Sequence, residues 1–340
     1  MIEIQDLYKY YGDRRVVGPL SVKIEKGQIV GLLGLNGAGK TTTLRILACD
    51  LLPTSGSVRV GNVDVVENPE LVRSKIGYLP DSPPLYNEMR VSEYLSFAAR
   101  LRGVQRSELA KRVDDAIEQT ELGEERHQLI GALSHGFKQR VGIAQAIVHR
   151  PELVVLDEPI SGLDPKQIVE MRDLVRGLRG EHTVIVSSHI LTEISETCDQ
   201  LLVIRDGRIA AAGTEAELFS TLTHGMRIEV TVRAQSTEKD AVFENLRQVV
   251  SRLSGVSDIS QIDPPEPGGH WVSALVVGES DVREELLSAL VSAGLKVVQF
   301  ARSENELENV FLSLSGAGER RARRGTRSNV RSGSDAAEAV

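Results

Sequence analysis

The 340-residue chain is 41% hydrophobic and 26% charged, which fits a folded water-soluble protein long enough for two domains and a sizeable core. Its formal net charge of −8 argues against non-specific nucleic-acid binding as the main activity, and no window approaches the ~20 continuous apolar residues of a membrane-spanning helix. The opening MIEIQDLYKYYGD has no signal-peptide character, so a cytosolic place, or a membrane place held only through a partner, is expected. Cys49 and Cys198 stand outside any metal-ligand or CxxC spacing and read as buried small apolar residues in a reducing compartment.

Residues 1–25 alternate in the manner of an antiparallel sheet, with strands expected at Ile2–Gln5 and Leu20–Ile24. The apolar run Gln28–Leu33 reads as a buried strand. It leads into GLNGAGKTT, Gly34 to Thr42, which fits G-x-x-x-x-G-K-[ST] with Gly34, Gly39, Lys40 and Thr41 at the fixed positions. A helix follows, carrying Leu44, Leu47 and Ala48 at helical spacing. Glycines let backbone N–H groups curl around phosphates, and the helix N-terminus adds its positive dipole end. Gly34, Asn36, Gly37, Ala38, Gly39, Lys40, Thr41 and Thr42 are therefore the expected cradle of a nucleoside triphosphate.

Strand and turn return at Leu52–Gly61, and from Val91 to about Arg150 the pattern is helical. One stripe holds Val91, Tyr94, Leu95, Ala98, Ala99 and Leu101, and another Leu109, Val113, Ala116 and Ile117. Continuous apolar runs at Leu153–Leu156 and Thr183–Ser188, separated by a helical Lys166–Leu178, signal a parallel α/β sheet. Asp206-Gly207 reads as a hairpin turn. Beyond residue 220 the expected order is strand 227–233, helix 238–253, strand 256–262, strand 271–277, helix 282–293 and strand 295–300, a ferredoxin-like β-α-β-β-α-β pattern. A Pro/Gly connector at 263–269, a last helix at 305–314 and a disordered end with six arginines between Arg320 and Arg331 complete the reading.

Five motifs in fixed order make residues 1–220 resemble the ATPase subunit of ATP-binding cassette (ABC) transporters. After the phosphate loop comes Leu153-Val-Val-Leu-Asp-Glu-Pro, similar to the Walker B strand, whose Asp157 and Glu158 emerge from a buried run. Leu133-Ser-His-Gly-Phe-Lys-Gln-Arg is similar to the family signature; Ser134 and Gly136 are kept, whereas His135 and Phe137 depart from the commonest letters. Ser134 is also a good helix N-cap. Ser161-Gly-Leu-Asp164 resembles the D-loop, and His189 matches the switch histidine.

The resemblance implies ATP and Mg²⁺ as ligands. Tyr11 would stack on adenine, Thr41 and Asp157 would bind the metal, and Glu158 would polarise the attacking water, with Lys40 and His189 on the γ-phosphate. Ser134, Gly136 and Asp164 would act across a dimer that sandwiches two ATPs. Asp81 stands where the family's Q-loop glutamine is usual, a charged and shorter side chain that reaches the metal through water or sits further off. The text around it, IGYLPDSPPLYNEMRVSEYL, resembles subunits of the gliding-motility and multidrug exporter type.

The expected architecture is a P-loop α/β cassette over 1–220, with a mixed sheet core, an antiparallel β subdomain and a helical subdomain. A small α+β ferredoxin-like domain over 226–315 and an Arg-rich tail over 316–340 follow. The expected function is ATP hydrolysis that drives movement of a substrate, outward by the exporter resemblance, through a separate transmembrane permease. A second ATPase subunit, a homodimer partner, completes the assembly on the cytoplasmic face of the membrane. No specific nucleic acid is expected, and the tail is read as a solvated end or a contact for anionic lipid. Two other readings stand beside this. A soluble regulatory ATPase is disfavoured by the single cassette and short helical insert. A binding-only cassette is disfavoured by the intact Lys40, Asp157, Glu158 and His189.

Overall fold

A computed structural model describes residues 1–222, 226–234, 239–262, 270–278 and 281–302. Strands β1 (Ile2–Tyr11) and β2 (Arg14–Ile24) form one long hairpin, longer than the alternation alone marks. β3 (Ile29–Leu33) is buried at every residue and runs into α1 (Lys40–Leu47). Next come β4 (Ser55–Val60), β5 (Val63–Asp64), α2 (Pro69–Lys75) and β6 (Ile76–Leu79). The helix α2 has no counterpart in the sequence reading, because seven residues are too few to show a 3.6-residue period.

The helical stretch resolves into α3 (Val91–Leu101), α4 (Leu109–Gln119) and α5 (His135–Ile147). Their expected stripes are buried, with one correction: Leu101 is 70% exposed at the end of α3. β7 (Leu153–Leu156), α6 (Pro165–Gly177), β8 (Thr183–Ser188), α7 (Leu191–Ile194), β9 (Gln200–Arg205) and β10 (Arg208–Gly213) complete the cassette. In the β9–β10 turn Asp206 and Gly207 take positive φ values of 50° and 77°, as a two-residue hairpin loop requires. Cys49 and Cys198 are free thiols, each part-buried, and burial pushes them up to about 11 and about 12.

Two sheets organise this part of the chain. One is antiparallel, in the order β2-β1-β4-β5; the other runs β10-β9-β3-β8-β7-β6 and is parallel except for the β9–β10 pair. A shared core joins Ile4, Leu7 and Leu20 of the first to Val30, Leu32, Val155 and Ile185 of the second, with Leu44 and Leu47 of α1 between them. The parallel order β3-β8-β7-β6 sets four strand C-terminal ends side by side, where open α/β sheets place their ligands.

The chain divides into two compact units, with Glu215 in the first and Ala216 opening the second. The division falls inside α8 (Glu215–Leu222). The second unit contains β11 (Met226–Arg233), α9 (Lys239–Val250), β12 (Val256–Ile262), β13 (Trp271–Gly278), α10 (Arg283–Ser292) and β14 (Val297–Arg302). Its antiparallel sheet runs β12-β13-β11-β14, the ferredoxin-like arrangement. Leu246 and Val250 of α9 and Leu286 and Leu290 of α10 pack on Ile228, Val230, Val272 and Val276. The expected connector at 263–269, the helix at 305–314 and the arginine tail with its lipid contact lie outside the described residues.

Gly77 of β6 lies so close to α5 that a Cβ there would sit 1.9 Å from the Ala146 carbonyl oxygen, backbone that cannot swing aside. Gly77→Ala is expected to cost about 3 kcal/mol, read as a fall in the urea midpoint. An unchanged midpoint would show that α5 and β6 are not packed this tightly.

Candidate active site

The phosphate loop leaves β3 at Leu33 and re-enters regular structure at Lys40. Gly39, the residue before α1, takes φ 106°, and a Cβ on it would press on the Val16 carbonyl at 2.8 Å, so only glycine fits. The loop is braced from outside: Gly207 N–H donates to the Ala38 carbonyl at 2.9 Å, and Gly18 N–H to the Gly207 carbonyl at 2.7 Å. The β9–β10 turn is therefore a buttress of the loop, a role its sequence does not announce.

Lys40 is 5% exposed. Its ammonium donates to the Gly34 carbonyl at 2.7 Å and pairs with Glu158 Oε1 at 3.1 Å. The other Glu158 oxygen, Oε2, meets His189 Nδ1 at 2.8 Å. Glu158 sits at φ 50°, an uncommon conformation for a residue with a side chain, and its N–H donates to Ser187 Oγ at 2.9 Å. Ser187 Oγ in turn donates to Asp157 Oδ1 at 2.7 Å.

Asp157 is 1% exposed, and its Oδ2 is a buried acceptor with no hydrogen-bond partner. Burial raises its carboxyl above the ordinary value; the Ser187 and Thr41 hydroxyls oppose this, and the charges of Glu158 and Asp81 add to it. Three carboxylates thus converge beside one lysine. A cation facing Asp157 Oδ2 would relieve the burial. Among the described residues no three His, Cys, Asp or Glu side chains are grouped to hold a metal by themselves. That suits Mg²⁺, which takes one or two carboxylates and completes its shell with phosphate oxygens and water.

A cleft of about 450 Å³ opens here. Its walls gather the sequence-predicted Asn36, Gly37, Gly39, Lys40, Thr41 and Thr42 with Asp81, Glu158 and His189, delivered from the ends of β3, β6, β7 and β8. Val16, Leu35 and Ser161 line it as well: Leu35 lies within the phosphate-loop motif and Ser161 opens the D-loop-like segment, whereas Val16, from the hairpin that carries Tyr11, belongs to no motif. Gly34 lies under the loop, where a Cβ would meet the Ile204 carbonyl at 2.7 Å, and Ala38 faces a smaller neighbouring hollow.

The predicted Asp157 is buried behind the cleft walls, and Tyr11, Ser134, Gly136 and Asp164 stand outside them. Tyr11 is 49% exposed, with the Lys9 ammonium 5.2 Å from its ring centre. Ser134 caps α5, accepting from Phe137 N–H at 3.4 Å, and Asp164 caps α6, accepting from Gln167 N–H at 3.0 Å. Gly136 lies between them, where a Cβ would touch the Gln167 side chain at 2.9 Å.

A family model described as ABC transporter matches residues 17–161, which span the phosphate loop, both acids and the signature-like segment. Over 321 residues the chain is 33% identical to the uncharacterized ABC transporter ATP-binding protein YxlF of Bacillus subtilis, covering 92% of this chain and 99% of that protein. The chain belongs to the ABC transporter ATPases. It is also 32% identical to the bacitracin transport ATP-binding protein BcrA of Bacillus licheniformis, across 94% of this chain and 98% of that one. MJ0796, a bacterial ABC transporter cassette solved as a dimer, superposes with a TM-score of 0.58 at 25% identity, over 63% of this chain and 98% of its own. As an ABC transporter ATPase the chain binds and hydrolyses ATP.

Because burial raises the Asp157 carboxyl, the folded chain holds this proton to higher pH than the unfolded chain, so the group destabilises the fold as pH rises past its ordinary 3.8. Asp157→Asn is expected to raise the melting midpoint of nucleotide-free protein at neutral pH, with the difference shrinking on acidification, while ATP turnover is lost. A midpoint at or below the wild type's would contradict the electrostatic account of this site.

Proposed function

We propose that two copies of this chain close on two ATP molecules and hydrolyse them to drive export through a separate transmembrane permease, on the cytoplasmic face of the membrane. One observation carries the reading. Ser134 and Asp164 are exposed at helix N-termini outside the cleft that gathers Lys40, Asp81, Glu158 and His189, so one chain offers complementary halves of a nucleotide site on separate surfaces. A second copy turned by a two-fold axis brings each half to the other. The dimeric MJ0796 cassette supports this arrangement.

Within one half, the triphosphate lies along the loop of Gly34, Asn36, Gly37, Ala38, Gly39, Lys40, Thr41 and Thr42, with adenine toward Tyr11. Its charge draws Lys40 away from Glu158 and leaves that carboxylate, still fixed by His189, to orient water. The water oxygen attacks the γ-phosphorus, its proton passes toward Glu158, and the bridging oxygen departs with ADP. Phosphoryl transfer of this kind is governed by positioning and charge. Asp157 through Oδ2 and the Thr41 hydroxyl would hold Mg²⁺, with Asp81 in reach of its water shell; the ion supplies charge neutralisation.

Among the described residues no helix is long and apolar enough to cross a membrane, and the reading assigns the crossing to the permease. The surface that would meet it is apolar and begins in the loop after Asp81. Tyr86 and Phe97 are 48% and 38% exposed and stack edge to face at 5.7 Å between centres, with Leu101 exposed further along α3. Exposed aromatics on one patch mark docking surfaces. The bacitracin transport relative BcrA supports transport as the work driven, and the exporter-type resemblance of the segment around Asp81 is the ground for export as its direction.

Glu158→Gln is expected to lower kcat roughly 10²–10⁴-fold while trapping an ATP-dependent dimer on size exclusion; retained turnover would remove Glu158 as the base. The paired change Tyr86→Ala and Phe97→Ala is expected to leave ATPase activity intact and to abolish co-purification of a polytopic membrane protein. Undiminished co-purification would place the permease contact elsewhere.

A further inference from the structure

His135, the signature-segment residue that departs from the family's commonest letter, does not face solvent idly. Its Nε2 lies 3.1 Å from the Ser161 carbonyl oxygen, and with a carbonyl as partner that nitrogen carries the proton. Ser161 itself lines the nucleotide cleft, and its N–H donates to the Glu158 carbonyl at 3.1 Å. A continuous hydrogen-bonded path therefore runs from the α5 N-terminus through the His135 ring and the Ser161 peptide to the residue held by Lys40 and His189.

The same segments also touch, one contact ordinary and one tight. A Cβ on Gly162 would come 3.4 Å from His135 Nε2, and one on Gly136 would come 2.9 Å from the Gln167 side chain. Gly162 has φ 74°, so the turn that presents the Ser161 carbonyl depends on glycine for its shape. Ser134, exposed beside His135, belongs to the surface that the dimer reading turns toward the partner's nucleotide, and the buried Gly136 backs it against Gln167.

We infer that His135 is a positioning residue that couples the two nucleotide sites of the dimer. It ties the segment that senses the partner's γ-phosphate to the turn that holds this chain's own Glu158. This inference rests on the dimer reading given above. Closure of the Ser134 N-cap on one nucleotide pulls the Ser161 carbonyl through the ring, and the Glu158 turn of the same chain moves with it. By linkage the same contact works in reverse, so each site biases the other. A glycine at this position, the family's commonest letter, would leave the Ser161 carbonyl without this tie.

Three full-length proteins test this: wild type, His135→Ala, and His135→Gln, whose side-chain amide can still donate to a carbonyl. ATPase rate against ATP concentration is measured for each, with ATP-dependent dimerisation measured in the Glu158→Gln background. The wild type is expected to respond sigmoidally to ATP. His135→Ala is expected to become hyperbolic, with kcat down about fivefold, the size of one neutral hydrogen bond, while the first ATP binds in the Glu158→Gln background with unchanged affinity. His135→Gln is expected to restore most of the sigmoidal response. A His135→Ala enzyme as sigmoidal as a wild type that does dimerise would overturn the coupling role while leaving the dimer reading intact. So would a His135→Gln enzyme no better than alanine. A wild type that is hyperbolic, with no ATP-dependent dimer in the Glu158→Gln background, would overturn the dimer reading and this inference with it.

Discussion

Glu158 has every polar group engaged: its N–H by Ser187, its carbonyl by Ser161, one carboxylate oxygen by Lys40 and the other by His189. Those four anchors hold a side-chain-bearing residue at φ 50°, a backbone conformation that costs on the order of 1–3 kcal/mol. The strain is sustainable because the surroundings over-determine the turn. The neighbouring elements meet at it: β7 delivers the residue, β8 supplies Ser187 and leads to His189, and the phosphate loop supplies Lys40.

The parallel sheet explains why these partners can meet. In the order β3-β8-β7-β6 the strand that leads to His189 lies between the one that leads to the phosphate loop and the one that leads to Asp157 and Glu158. The strands are buried along almost their whole length, so polar chemistry can emerge only at their ends. The same burial leaves Asp157 short of a partner at Oδ2, which makes the nucleotide-free site electrostatically poised for a cation. Stability and function pull in opposite directions at this residue.

Much of this was legible in the sequence because strong local signals and fixed spacings coincide. The apolar runs at β3, β7 and β8 end in the residues that line the cleft, and the motif residues Lys40, Thr41, Glu158 and His189 converge as their order implies. The stripes of α3 and α4 were equally plain, except at Leu101, where helical phase alone cannot tell a buried turn from the exposed last one. What stayed hidden depends on contacts distant along the chain. Gly207 bracing Ala38, Val16 entering the cleft from a hairpin, and the Ser161 carbonyl meeting His135 leave no periodicity to read. In the second unit the β-α-β-β-α-β order was legible, because Ile228, Val230 and Val232 alternate along β11, and Leu246 with Val250 and Leu286 with Leu290 mark helix faces at four-residue spacing.

A crystal structure of Glu158→Gln protein grown with ATP and Mg²⁺ would decide the matter. Two ATPs are expected sealed between two copies, with Asp157 and Thr41 of one copy at the metal and Ser134 of the other against the γ-phosphate. ATP bound in an unpaired chain, or a dimer in which Ser134 lies far from both nucleotides, would contradict the dimer reading.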